Sequence, residues 1–265
     1  MSEPQDANKF IDPVQPRRRR LGRSVFVLPS LFTVGNIFCG YYAILATMRG
    51  NYEQAAYAIG IAIVLDSLDG LIARLTNSTS GFGLQLDSLA DVISFGIAPS
   101  VLALCWGLSN IDQRLAWTAA FAFTICGAMR LARFNIQAGN LKHFVGLPIT
   151  AGGGTIAALV HFVGEPITSP LGSAFTVAGV FLLAFLMIST IRYFSLKHLP
   201  LGKKSHLTIF LIAMLVALGF FYSKQTLLAI AVVYVLSGLV ARLYGIVHRR
   251  KAGEGMTLAD SPHHQ

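Results

Sequence analysis

Charged residues are scarce in this 265-residue chain. Only 12% of its residues are Asp, Glu, Lys or Arg, whereas 54% are hydrophobic. A typical soluble domain carries about twice that charged fraction. A soluble protein this apolar would lack the polar surface needed to cover its core. The composition therefore excludes a soluble domain and predicts a single integral membrane domain.

Acidic residues are scarcer still, with twelve against 21 basic residues and a formal net charge of +9. A basic excess can indicate nucleic-acid binding. Here the Lys and Arg residues are scattered between apolar runs, so the sequence predicts contact with membrane lipids and no nucleic-acid partner. Cysteine is also rare. Cys39, Cys105 and Cys126 lie in apolar segments, which is typical of unpaired core thiols and not of a disulfide framework.

Long apolar runs, in contrast, are abundant. Eight runs are long enough to cross a hydrocarbon core of about 30 Å, which requires about 20 helical residues. They cover residues 25–48, 54–75, 83–107, 115–137, 147–164, 171–191, 206–222 and 226–247. Runs of this length favour helices over barrel strands. We expect an all-α integral membrane fold of about eight transmembrane helices over residues 23–248, with a disordered basic cytoplasmic tail at 1–22 and a cytoplasmic C-terminal tail at 249–265.

The basic residues are divided unevenly between the two faces of this predicted domain. Eight spans place both termini on one side, and that side receives 18 of the 21 basic residues. The other side receives only Arg49, Arg114 and Lys224. Loops rich in Lys and Arg stay in the cytoplasm. The sequence therefore predicts a multi-pass protein of the cell (inner, cytoplasmic) membrane with cytoplasmic termini.

Four of the twelve acidic residues are concentrated at the junction of the second and third runs. Asp66, Asp69, Asp87 and Asp91 fall within 26 residues, with only Arg74 as a basic neighbour. Carboxylates at membrane depth are costly and usually mark function. The four would repel one another, and a divalent cation is the simplest way to relieve that repulsion. The cluster falls at the predicted cytoplasmic face.

The spacing predicts that these carboxylates converge. Asp66 and Asp69 share one helix face, and Asp87 and Asp91 share another. A short polar loop joins the two helices, so they must be antiparallel neighbours. Hard oxygen ligands at this density suit Mg²⁺ or Mn²⁺, and four carboxylates can hold two ions. Paired metals are typical of phosphoryl chemistry.

Small residues accompany the carboxylates. Gly70, Ala73 and Gly83 leave room for close backbone approach or for a flat ligand. On the first helix Thr33, Asn36 and Gly40 form a small and polar stripe. The pattern leaves two roles open for Asn36, contact with the nucleotide or metal site and helix packing.

Together these residues form the pattern D-x-x-D-G-x-x-A-R-x8-G-x3-D-x3-D. This resembles the signature of the CDP-alcohol phosphatidyltransferase family, and every fixed position is present. The resemblance implies a membrane enzyme with a six-helix core, here extended by two C-terminal helices, that acts as a homodimer on a CDP-linked lipid. It implies that the four aspartates bind the metals, with Asp91 also the general base. It further implies a cytidine diphosphate pocket, whose members would be Gly70, Ala73, Arg74, Gly83 and, as a candidate, Asn36.

A second stretch bears on the acceptor alcohol. Arg130 and Arg133 present two cations on one face of the fourth predicted helix, next to Asn135. Paired cations suit an anion, either the lipid-linked diphosphate or an acceptor carboxylate. The segments RLARFN, FVGLP and MISTIRYFSLK resemble the membrane-integral phosphatidylserine synthase branch of the family. That branch implies transfer of a phosphatidyl group from CDP-diacylglycerol to L-serine, with release of CMP. The candidates for acceptor or phosphate binding are Arg130, Arg133, Asn135, Arg192 and Lys197.

Three alternatives remain at this stage. The acceptor would instead be glycerol 3-phosphate or inositol phosphate if the pocket held more cations. The acids would be structural if Arg130 and Arg133 paired with them. A cation- or proton-coupled transporter would also carry intramembrane acids. Transporters usually contain internal repeats, however, and residues 133–265 have no counterpart of the acidic cluster.

Overall fold

A computed structural model describes residues 24–75, 81–137, 146–191 and 224–238. The regular structure in these ranges is helical throughout, which confirms the predicted all-helical fold over this part of the chain. The helices are α1 (Ser24–Met48), α2 (Tyr52–Leu75), α3 (Gly81–Asp91), a π-helical turn (Val92–Ile97), α4 (Ala98–Gly107), α5 (Gln113–Gln137), α6 (Ile149–Val163), α7 (Pro170–Ile188) and α8 (Lys224–Gly238).

The helices follow the predicted apolar runs closely. Because α3, the π turn and α4 are continuous, the first six runs each correspond to one helical rod. Within the described residues, four helical segments are long and apolar enough to cross a membrane, namely Leu31–Met48, Gly81–Gly107, Gln113–Ile136 and Pro170–Ile188, while α6 and α8 are apolar but shorter. Helix α2 is not among these segments, and the run at 206–222 lies outside the described residues, so a total of eight spans stays a prediction.

An antiparallel hairpin of α1 and α2 forms one side of the bundle. Gly50 makes the turn with a φ of 77°, a value that favours glycine, and the Asn51 amide donates to the Ala46 carbonyl at 2.9 Å. Buried positions on both helices include several alanines, among them Ala43, Ala46, Ala55 and Ala62. Small side chains allow the two helix backbones to approach closely, as is usual in membrane bundles.

The π turn lies at the centre of the bundle and contacts α1, α5 and α6. Phe95, at its middle, is completely buried. Glycines on the neighbouring helices make room for the π turn. A Cβ on Gly40 of α1 would stand 2.7 Å from the Ser94 Cα, and a Cβ on Gly153 of α6 would stand 2.9 Å from the Phe95 carbonyl oxygen. The close fit fixes the helix directly after Asp91.

Large apolar side chains also cover the outside of the bundle. Phe38, Phe121, Phe175 and Phe185 are each more than 60% exposed. Apolar patches of this extent are rare on soluble monomers, but they are expected where helices face lipid. The distribution of apolar residues therefore agrees with a membrane protein.

Candidate active site

Three of the four predicted carboxylates converge between α2 and α3, the last of them at the C-terminal end of α3. One ligand oxygen from each of Asp66, Asp87 and Asp91 lies within 4.8 Å of the other two. Asp66 and Asp87 are partly buried, and Asp91 is only 8% exposed. The hairpin inferred from the spacing therefore brings carboxylates from both helices to one place.

The cluster has an excess of negative charge. Asp91 shares a side-chain hydrogen bond with Asp66 and is repelled by the charges of both Asp66 and Asp87. Two carboxyl groups in such contact require a proton or a cation between them. The second Asp91 oxygen, Oδ1, is buried and has no hydrogen-bond partner. An all-oxygen donor set with a buried orphan oxygen suits a hard divalent cation such as Mg²⁺ or Mn²⁺.

Asp69 is not part of this three-residue cluster. It is 6% exposed, and its Oδ2 accepts a hydrogen bond from the Thr33 hydroxyl of α1. Buried carboxylates are normally satisfied in this way. Asp69 is thus held on the α1 side of α2, and its role as a metal ligand stays a prediction.

One glycine of the motif, Gly70, borders open space. Gly70 is exposed, and no atom lies within 4 Å of the position that a Cβ would occupy. Gly83 is partly buried on the first turns of α3. Ala73 and Arg74 belong to the last turns of α2, but their side chains lie outside the described part, so the predictions on them are not tested.

Asn36 lies deep in the bundle. It is 1% exposed, and neither atom of its side-chain amide has a hydrogen-bond partner. Its backbone carbonyl accepts a hydrogen bond of 2.8 Å from the Ser94 hydroxyl in the π turn. Asn36 therefore takes part in helix packing through its backbone. Its buried amide calls for a polar partner, and contact with the nucleotide or metal site stays a prediction.

The basic stretch of α5 divides into two environments. Arg130 is 8% exposed and interacts electrostatically with Asp91. Arg133 is partly buried, and its Nη2 donates to the Ile188 carbonyl at 3.1 Å. That carbonyl ends α7, so Arg133 supports a helix C-terminus. Asn135 donates through Nδ2 to the Ser88 hydroxyl at 2.9 Å, one residue after Asp87.

The Gly-Leu-Pro turn holds the same end of the molecule together. The Gly146 amide donates to the Ile191 carbonyl at 2.8 Å, and the Leu147 amide donates to the Leu186 carbonyl at 3.0 Å. Gly146 has a φ of 86°, and a Cβ there would stand 2.3 Å from the Met187 carbonyl oxygen. Only glycine satisfies both conditions. The turn therefore fixes the start of α6 against the end of α7. The remaining acceptor candidates, Arg192 and Lys197, lie outside the described residues.

Comparison with known proteins agrees with this arrangement of motifs. A sequence model for CDP-alcohol phosphatidyltransferase matches residues 26–188. The chain belongs to this family.

Several proteins that are similar in sequence to this CDP-alcohol phosphatidyltransferase have names that agree with the family. A CDP-diacylglycerol–serine O-phosphatidyltransferase of Helicobacter pylori (strain ATCC 700392 / 26695) is 35% identical over 227 residues, covering 84% of this chain and 94% of the relative. The protein with the same name in Bacillus subtilis (strain 168) is 35% identical over 63% of this chain and 89% of the relative. An archaetidylserine synthase of Methanothermobacter thermautotrophicus is 38% identical over 64% of this chain and 70% of the relative.

Sequence reasoning missed several contacts of this phosphatidyltransferase site. Thr33 was visible as part of the stripe on α1, but its contact with Asp69 was not. Ser88 had no signal beyond its position between Asp87 and Asp91. Tyr234 of α8 interacts electrostatically with Arg130, although 104 residues separate them in the sequence. Only the folded chain brings these residues together.

Proposed function

We propose that the chain is a CDP-diacylglycerol–serine O-phosphatidyltransferase, which transfers the phosphatidyl group to the L-serine hydroxyl and releases CMP. The observation that carries this proposal is the cluster of Asp66, Asp87 and Asp91, together with the buried Arg130 that interacts electrostatically with Asp91. The names of the Helicobacter and Bacillus relatives support serine as the acceptor.

The metal ligands in this proposal are the four aspartates. Asp66, Asp87 and Asp91 would hold one divalent cation, and Asp69 would contribute to the binding of a second ion. Bound Mg²⁺ or Mn²⁺ supplies charge to the phosphate oxygens and helps to lower the proton affinity of the acceptor hydroxyl. Two ions agree with the number of carboxylates, as argued from the sequence.

The chain itself moves the proton. The serine hydroxyl oxygen forms a bond to the phosphorus that carries the diacylglycerol oxygen. The bond from this phosphorus to the bridging oxygen breaks, and CMP departs with that oxygen. Asp91 accepts the hydroxyl proton as the general base. Its buried position supports this role, because a general base works best where water does not compete for its proton.

The donor headgroup lies over the glycine face of α2. The open space beside Gly70 supports this position, since a flat base or a diphosphate needs backbone without side chains. Gly83 and Ala73 border the same pocket, and Arg74 supplies charge to the phosphates. Asn36 presents its buried amide from α1.

Arg130 is the best-supported anchor for the serine carboxylate. Its charge interacts with that of Asp91, the proposed base, so a carboxylate bound to the Arg130 guanidinium would keep the serine hydroxyl close to the base. Arg133 is engaged by the end of α7, and Asn135 is engaged by Ser88. These two residues support the pocket walls, and Arg192 and Lys197 remain further candidates.

The membrane setting follows the sequence predictions. We infer eight spans over residues 23–248, a homodimer, and both tails and the active site at the cytoplasmic face. The contact between Glu53 and Lys224 supports the topology, because it joins the starts of α2 and α8 at the same end of the bundle. The 18-to-3 distribution of basic residues supports the orientation.

The test is CMP release from CDP-diacylglycerol by the purified protein. L-serine, glycerol 3-phosphate and inositol phosphate are supplied separately with Mg²⁺ or Mn²⁺. We expect release only with serine, and none in a chelator or in Asp91→Asn. Release with another acceptor would refute the serine assignment but keep the family chemistry. No release with any acceptor, in a folded protein that binds metal, would refute the proposal and favour a transporter.

A further inference from the structure

Helix α3 carries two of the clustered carboxylates but is only partly embedded in the bundle. Asp91, at its C-terminal end, is buried, whereas Phe82, Leu84 and Leu89 are exposed. Asp91 is also repelled by the charge of Asp66 on α2. Contacts with other helices must therefore hold α3 in place while its carboxylates approach that of α2.

A hydrogen bond between two side chains joins α3 to α5. The Asn135 Nδ2 donates to the Ser88 Oγ at 2.9 Å. The Ser88 hydroxyl in turn donates to the Leu84 carbonyl, one turn earlier in α3, at 3.0 Å. Because this bond uses the single hydroxyl proton of Ser88, the oxygen needs a donor from outside α3, and the Asn135 amide is such a donor. The contact between the two helices therefore depends on the amide group at position 135.

A second contact between side chains fixes how α5 lies against the continuous rod of α3, the π turn and α4. The Thr124 hydroxyl of α5 donates to the Ser100 hydroxyl of α4 at 3.0 Å. Asn135 lies 11 residues after Thr124, and Ser88 lies 12 residues before Ser100. At about 1.5 Å per residue, these steps correspond to about 17 Å and about 18 Å. The two rods therefore run antiparallel and are joined at two levels, with Asp91 between them.

The position of Ser88 allows this bond to fix the rotation of α3 about its axis. Ser88 follows Asp87 by one residue and precedes Asp91 by three, so its side chain projects beside the face that carries both carboxylates. Helix α3 packs against α1, and the bond to Asn135 adds a support from α5. Because ligand atoms must lie within about 0.2 Å of their required distances from a metal, a small rotation of α3 would weaken metal binding.

We propose that Asn135 is a positioning residue, which acts through Ser88 to hold Asp87 and Asp91 in the geometry that binds the metal. This rests on the proposed function, in which these aspartates are metal ligands. The proposal gives Asn135 a role different from that of an acceptor-binding residue, because its amide supports the helix that carries the metal ligands.

The test measures Mn²⁺ binding to the purified full-length protein. Bound Mn²⁺ is determined from the electron paramagnetic resonance signal of the free ion, and the Mn²⁺ concentration that gives half-maximal CMP release is measured in parallel. Ser88→Ala and Asn135→Ala each remove one partner of the bond, and alanine favours helix formation. We expect the dissociation constant for Mn²⁺ to rise about tenfold in each variant, as for residues that orient metal ligands. At saturating Mn²⁺ the KM for serine should stay within about twofold.

Three further variants separate positioning from a general loss of packing. Ser67→Ala is the matched control, because Ser67 also follows a clustered aspartate directly, but its hydroxyl donates to the Ile63 carbonyl of its own helix at 2.8 Å. Its affinity for Mn²⁺ should stay within about twofold of the wild type. Ser88→Thr keeps a hydroxyl and should restore most of the affinity. The double variant Ser88→Ala/Asn135→Ala should bind Mn²⁺ about as well as either single variant, since all three lack the same bond.

The inference is wrong if either Ser88→Ala or Asn135→Ala binds Mn²⁺ as the wild type does, or if Ser67→Ala weakens binding equally. It is also wrong if the two effects multiply in the double variant. A higher KM for serine in Asn135→Ala, with unchanged Mn²⁺ binding, would instead assign Asn135 to the acceptor. A wild type that binds Mn²⁺ but does not use serine would refute the proposed acceptor, and the Mn²⁺ comparison would still decide the role of Asn135.

Discussion

The two ends of the helix bundle both bring charged groups together, but the charges are balanced at only one of them. At the α1–α2 turn, Glu53 meets Lys224 and the buried His161, so one carboxylate has two basic neighbours. At the other end three carboxylates converge, and Arg130 is the basic residue that interacts with Asp91. The balanced cluster can be explained by structure alone. The unbalanced one requires a proton or a cation from outside the chain, and an all-oxygen cluster that needs such a partner indicates function.

Replacing Asp91 tests the unbalanced end most directly. Asp91→Asn keeps the size of the side chain but removes the proposed base, so we expect kcat to fall about a thousandfold. Removal of a repelled charge should leave the melting temperature equal or higher. Glu165→Gln, an exposed acid at the opposite end, is the matched control and should keep full activity. Activity retained in Asp91→Asn would exclude Asp91 as the base.

Metal binding should distinguish the two ends by thermal stability. A cation that binds only the folded state raises stability by about 2.7 kcal/mol at 100 times its dissociation constant. We expect Mn²⁺ to raise the melting temperature of the wild type and of Glu53→Gln. The shift should be lost or should need about tenfold to a hundredfold more metal in Asp66→Asn. An equal shift in Asp66→Asn would place the metal elsewhere.

A substitution at Thr33 tests whether α1 stabilises the carboxylates of α2. Thr33→Val removes the hydroxyl that donates to Asp69, leaving a buried carboxylate less satisfied. We expect a loss of about 1–3 kcal/mol in unfolding free energy, together with reduced CMP release. Thr47→Val serves as the control, because the Thr47 hydroxyl donates only to the Ala43 carbonyl of its own helix at 2.8 Å. Equal effects from both variants would show that Asp69 needs no support from α1.

A substitution at the balanced end, near the α1–α2 turn, should have the smallest effect on stability and activity. Glu53→Gln breaks the pair with Lys224, but both side chains are about half exposed, at 47% and 52%. Exposed ion pairs contribute about 0–1 kcal/mol. We therefore expect a small drop in melting temperature, which shrinks further in high salt, and activity within about twofold. A loss of activity as large as that of Asp91→Asn would contradict the functional contrast between the two ends.

The convergence of carboxylates in the α2–α3 hairpin was predictable because it depends on residues that are close in the sequence. Asp66, Asp87 and Asp91 converge through helical spacing and a short loop, and both can be counted in the sequence. The positions of the first six helical rods, from α1 to α7, follow from apolar runs in the same way. The contact of Asp69 with Thr33 depends instead on how α1 packs against α2, which the stripe on α1 indicated without identifying a partner.

The π turn and Tyr234 could not be predicted. A π turn depends on close packing around Ser94 and Phe95, where Gly40 and Gly153 come from distant helices. Tyr234 lies in an apolar run, where a tyrosine usually indicates an anchor at the membrane–water interface. Its electrostatic interaction with Arg130 appears only once α8 is placed. Both features depend on packing between residues that are distant in the sequence, which the local spacing of residues does not reveal.

The apolar exterior of the bundle has a consequence for the proposed donor lipid. Extracting a chain of about 15 methylene groups from a bilayer costs about 0.8 kcal/mol per group, or about 24 kcal/mol for two chains. Because α1, α5 and α7 all expose large apolar side chains, the lipid tails can remain in hydrocarbon while the headgroup reaches the carboxylates. The bilayer thus acts as a solvent for half of the substrate, and water acts as a solvent for the other half. The catalyst works at the boundary between two phases and does not carry its substrate from one to the other.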